Sequence, residues 1–216
     1  MMGNLHWLQQ ITIWALPVLF AITLHEAAHA YAAKKLGDST AYMLGRMTLN
    51  PLKHIDPIGT LLIPLLCVVF KFGFVFGWAK PVPINFDALN NPKRDARWVA
   101  AAGPAANFCM ALIWTVMLRI GDQFLVGASL QYPLLLMAQA GVTINVVFMI
   151  LNLLPILPLD GGRIVASLLP ITWARKFALL EPYGIFILII LLYTRVLDYI
   201  IQPLFAMVIH FLAWFL

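Results

Sequence analysis

The chain has 216 residues, 62% apolar and 11% charged, with a formal charge of +5 and a mean hydropathy of +0.90. A soluble domain needs a charged surface that this composition does not supply. The basic residues are few and sit at the ends of apolar runs, which suits the positive-inside rule rather than nucleic acid.

Charge-free runs at 98–118, 124–159 and 199–216 reach or approach the ~20 residues that a spanning helix needs. The fold class is therefore an all-α polytopic membrane protein, a helical bundle of about five to six segments in a lipid bilayer. The first apolar stretch runs into His25 and Glu26 without a small-residue cleavage site, so it reads as part of the mature protein. Cys67 and Cys109 lie in apolar runs without metal-ligand spacing and read as small core residues.

Segment one is expected to be a helix over about 8–35, kinked at Pro17 and stopped by the basic "KKLG". A polar stretch follows, and then the apolar run 58–70. Its 13 residues are short for a span and suit a re-entrant segment. The run 72–85, "FGFVFGWAKPVPIN", mixes aromatics, glycines and prolines and suits an edge strand or extended loop. "NNPKRDAR" caps a helix over 98–118. Another helix, about 133–154, ends in the proline-rich "NLLPILPLDGGR". One or two apolar helices close the chain, separated near Arg195 and Asp198.

Loop charges orient these segments. Residues 34–57 hold Lys34, Lys35, Arg46 and Lys53; residues 71–97 hold Lys71, Lys80, Lys93, Arg94 and Arg97. With 58–70 re-entrant, both basic loops lie on the cytoplasmic side and the sparse 119–131 loop lies outside. His25 then sits about nine residues inside the cytoplasmic end of its helix, roughly 14 Å deep.

His25, Glu26 and His29 form H-E-x-x-H. At i and i+4 the histidines share a helix face and can both reach a metal, with the glutamate beside them to take a proton from bound water. The bland alternative is a buried polar network. Ionisable groups at this depth are costly, however, and point to function. A catalytic zinc takes three protein ligands, and Asp160, after the "PILPLDGG" turn, is the first choice for the third. Its alternative is a helix cap. His54 could approach the site, whereas His6 and His210 read as non-ligands. Asn145, a heptad before Asn152, reads as a packing polar residue.

"HEAAH", then "AGPAANF" (102–108), then "NLLPILPLDGG" (152–162) resemble, in that order, the site-2 protease family of intramembrane zinc metalloproteases, in its compact prokaryotic form without a PDZ domain. The likeness runs from about residue 10 to 170. It implies one catalytic zinc ion held by His25, His29 and Asp160, with Glu26 as the catalytic base that activates zinc-bound water. It implies that Asn152 hydrogen-bonds substrate or the developing oxyanion and that Asn107 helps to hold substrate, although buried asparagines often only join helices. The implied substrate is a transmembrane peptide or membrane protein, cut within or near its membrane segment, at the cytoplasmic side of a prokaryotic inner membrane. The segment 72–85 would hold the unwound substrate by β-augmentation. The chain reads as one integral-membrane domain, with its catalytic core over about 8–170 and C-terminal helices over about 181–216. A metal transporter and an inactive scaffold are the competing functions. A transporter would have no use for a base at Glu26, and no internal repeat is visible; a scaffold would not need all four site residues.

Overall fold

The first helix exposes Leu16 and Phe20, whereas its small residues Ala21, Ala30 and Ala33 are fully buried. This pattern, small residues inward and bulky apolar residues outward, is that of a helix packed in lipid. The computed structural model describes residues 7–70, 77–124 and 126–216. Among them α1 (Trp7–Lys35) carries Pro17 internally and ends on Lys34 and Lys35. α2 (Thr40–Met43) is a single turn.

A π-helical turn, Pro57–Leu62, runs into α3 (Ile63–Val69). Asp56 starts the turn, its Oδ1 accepting from Ile58 N at 3.0 Å and Gly59 N at 2.7 Å. At helical rise the whole piece is about 20 Å long, too short to cross a bilayer core of ~30 Å, as the re-entrant reading requires.

α5 (Gln131–Asn152) has the expected length, shifted two residues toward the N-terminus, whereas α4 (Pro92–Phe124) extends beyond the expected 98–118. Polar residues at either end continue the helical hydrogen-bond ladder out of the apolar run. These two helices form the centre of the bundle. Trp114 lies over Gly141, where a Cβ would fall on the indole ring. Around them gather Ala111, Ala138, Val142, Val146, Met149, Ile150 and, from the chain's far end, Leu212. α1 packs against both.

After α5 the chain turns through a cis Leu157–Pro158 bond into α6 (Asp160–Leu168), then α7 (Ile171–Ala178), α8 (Gly184–Tyr193) and α9 (Val196–Leu212). The C-terminal region is thus two helices. The break falls at Arg195, whose φ of 58° is left-handed. Five stretches are long and apolar enough to span: 9–35, 92–124, 131–152, 171–193 and 196–215.

No strand is present among the described residues. Of the expected edge element, 72–76 lies outside the described residues, and 77–85 is a non-helical loop. Trp78 N donates to Gly59 O at 3.0 Å and Lys80 N to His54 O at 2.9 Å. Cys67 is buried as expected, but Cys109 is exposed, because it lines an open groove of α4 beside Leu24, Ala28 and Tyr31 of α1.

Candidate metal centre

Four residues apart on α1, His25 and His29 bring their Nε2 atoms within 3.0 Å of each other. Asp160 arrives as the first residue of α6, which packs on α4. Its Oδ2 lies 3.2 Å from His25 Nε2 and 3.3 Å from His29 Nε2. All three residues are buried. Among the described residues these three form the cluster that could hold a metal ion. Ligand atoms about 2.0–2.1 Å from a tetrahedral zinc stand roughly 3.3 Å apart, close to the edges of this triangle.

The hydrogen bonds behind the triangle decide its chemistry. Val99 O, 2.7 Å from His29 Nδ1, can only accept, so Nδ1 carries the proton and Nε2 presents a lone pair. For His25 the deciding partner is Asn107. Its Nδ2 donates to Ala21 O at 3.1 Å and to Asn145 Oδ1 at 3.0 Å. Asn145 is itself oriented by donating to Gly141 O at 2.8 Å. Asn107 Oδ1 therefore faces His25 Nδ1, at 2.6 Å, and accepts its proton. His25 Nε2 is left bare as well.

Two lone pairs and a buried carboxylate oxygen thus point at one another. Asp160 Oδ2 has no hydrogen-bond partner. A hydrogen-bonded polar network would pair groups of opposite polarity. This set is instead complementary to a divalent cation, and two imidazoles with a carboxylate is a known zinc donor set.

Space for the rings comes from Gly103 on α4. A Cβ there would fall on His29 Nε2 and lie 2.5 Å from His25 Cε1. Glu26 lies beside the cluster, and its Oε2 accepts from Val82 N at 2.8 Å. Asn152 closes α5, half-buried, with its Nδ2 donating to Phe148 O at 3.0 Å. The bonds of Asn107 tie three helices together and include a histidine of the cluster.

His54 is fully buried, with its Nε2 on Thr48 O at 2.9 Å, and lies outside the cluster. His210 is exposed on α9, and His6 lies outside the described residues. Gly103 and the Val82 amide had no assigned role in the sequence. The first sits inside "AGPAANF"; the second has no side-chain signature.

A buried donor triangle within a bundle of apolar helices defines the class, an integral-membrane metalloprotein. The profile of Peptidase family M50 matches residues 122–192, which include Asn152 and Asp160. The chain is 36% identical over 191 residues to "Putative zinc metalloprotease YwhC" of Bacillus subtilis, covering 87% of this chain and 83% of that one. It is 31% identical over 186 residues to "Putative zinc metalloprotease Rip2" of Mycolicibacterium smegmatis, covering 83% of this chain and 66% of the relative. The protein of the same name from Mycobacterium tuberculosis is 27% identical over 184 residues, with the same shares covered. No solved structure matches the chain. The chain belongs to peptidase family M50, and its likeness to the site-2 proteases is borne out.

Proposed function

We propose that the protein is an intramembrane zinc endopeptidase that hydrolyses a peptide bond within or near a transmembrane segment of a membrane-protein substrate. As a member of its family it is a membrane metalloprotease; the residue roles and the substrate class are what the proposal adds. His25, His29 and Asp160 would hold one catalytic zinc ion. Bound there, zinc would supply Lewis acidity, which lowers the pKa of water and polarises a carbonyl.

The remaining work falls to the chain's own groups. Glu26 takes a proton and returns it to the leaving amine. Asn107 holds the His25 ring with Nε2 toward the cluster, and Val99 O does the same for His29. Asn152, at the end of the helix that leads to Asp160, is assigned to the substrate backbone or its developing oxyanion. Basic residues around both ends of the 58–70 segment favour a cytoplasmic site in a prokaryotic inner membrane. The single observation that carries the proposal is the triangle of bare donor atoms, 3.0–3.3 Å on its edges, with a carboxylate adjacent in sequence.

The test compares wild type with Glu26→Gln for zinc content and for cleavage of a panel of single-span peptides in lipid vesicles. Equal zinc with cleavage by wild type alone is expected. Equal cleavage by both proteins removes Glu26 as the base. Zinc flux across the vesicle wall with no cleavage would favour a transporter instead.

A further inference from the structure

Residues 80–83 read Lys-Pro-Val-Pro. Proline has no N–H, and a residue that precedes proline is held extended. Lys80 and Val82 both precede proline. The stretch 81–83 therefore contains a single backbone donor, Val82 N–H, and that donor points at Glu26 Oε2 from 2.8 Å. Val82 is buried.

The segment cannot easily drift from this position. Trp78 N is fixed on Gly59 O at 3.0 Å and Lys80 N on His54 O at 2.9 Å. Asn85 N is fixed on Asp38 Oδ2 at 2.8 Å, and Arg46 Nη2 holds Lys80 O at 3.0 Å. Residues 78, 80 and 82 thus all donate inward, and the last of the three donates to a carboxylate rather than a carbonyl. The donor is a backbone group, so no side-chain change alters its identity.

We propose that the Val82 N–H, framed by Pro81 and Pro83, is a positioning group for Glu26. It anchors Oε2 and leaves Oε1 as the oxygen that takes the proton. Glutamate turns about three side-chain bonds, and one anchored oxygen removes most of that freedom before the reaction begins. The inference rests on Glu26 being the base.

The test replaces the Val82 amide by an ester, using the α-hydroxy acid analogue of valine, which deletes the N–H and keeps the side chain. The same replacement at Lys80 deletes a bond of similar length that does not reach Glu26. Cleavage is followed on the fastest-cut single-span peptide in phosphatidylethanolamine–phosphatidylglycerol vesicles. The ester at 82 is expected to lower kcat about ten-fold or more with little change in KM and unchanged zinc content. The ester at 80 should have a clearly smaller effect on kcat.

A second readout does not depend on turnover. In protein labelled at valine and lysine, the Val82 amide should exchange slowly with solvent, and Glu26→Ala should speed that exchange at Val82 while sparing Lys80. Equal kcat losses for the two esters, or exchange at Val82 indifferent to Glu26, would overturn the proposal. If Glu26→Gln cleaves as wild type does, the base assignment falls and this inference falls with it. If Glu26→Gln is inactive while the Val82 ester keeps full kcat, the positioning role alone falls.

Discussion

His25 Nδ1 lies 2.6 Å from Asn107 Oδ1, although 82 positions separate the two residues. Because Asn107 Nδ2 is committed to Ala21 O and Asn145, the amide cannot turn over to offer a donor to the ring. The tautomer of a histidine on α1 is thus set by α4, which is in turn set by α5. Partners of this kind fix ring orientation in metal sites generally.

Asn107→Ala removes the acceptor and leaves a buried ring N–H unpaired. Zinc affinity is expected to fall roughly 10–100-fold, measured by competition with a chelator of known affinity. Asn145→Ala acts through one more bond and should weaken zinc less. If the Asn107 variant binds zinc as tightly as wild type, the asparagine merely joins helices.

Gly103→Ala tests the space beside the rings. The added methyl meets His29 Nε2 and His25 Cε1 at distances no ordinary contact permits, and both rings are held by their own hydrogen bonds. Overpacking of this kind costs about 1–3 kcal/mol. Here the strain falls on atoms that would bind the metal. Stoichiometric zinc should be lost while helical content by circular dichroism is retained. Full zinc occupancy in this variant would show that the rings move aside without cost.

What the sequence disclosed and what it hid follow from how each contact is encoded. His25 and His29 are a local relationship, fixed by helical period, and were legible. So was the turn that delivers Asp160, because prolines and glycines punctuate it. The length of 58–70 announced a piece too short to span. Gly103 lies within the "AGPAANF" motif, but the rings it accommodates come from a helix 74 or more positions earlier, and no periodicity records that approach. The Val82 contact uses a backbone N–H, which every non-proline residue has; only its two flanking prolines distinguish it. Cys109 showed the limit of composition in a membrane helix, where an apolar residue fits an open groove as well as the buried core.

Zinc should bind the folded chain and stabilise it by mass action. At a free concentration one hundred times Kd the gain is about 2.7 kcal/mol. A chelator should therefore lower the unfolding temperature of the wild type in detergent, and added zinc should restore it. Asp160→Asn replaces an ionised ligand with a neutral amide and should show a much smaller response. If the chelator leaves the wild-type midpoint unmoved, the triangle does not hold a metal that matters to the fold.

Acid should release the 77–85 segment at Asp38, which lies beyond the membrane end of α1. Burial alone would raise this carboxyl group. The Thr40 hydroxyl, the Thr40 N–H and the Asn85 N–H all donate to it, however, and together they hold it below its ordinary value of 3.8. A carboxylate lowered on folding contributes stability that is fully present above the ordinary value and is lost as pH falls through the lower, folded one. Near-neutral pH should leave the Asn85 N to Asp38 Oδ2 contact intact, and exchange of the Asn85 amide should be slow there. Once intrinsic rates are corrected for pH, its protection should drop below pH 3.8. In Asp38→Asn it should be weak at every pH, since the charged acceptor is gone. The Lys80 amide, on a neutral carbonyl, serves as the internal reference. Equal pH dependence at the two amides would show that the whole segment loosens together and that Asp38 is not its acid-labile tie.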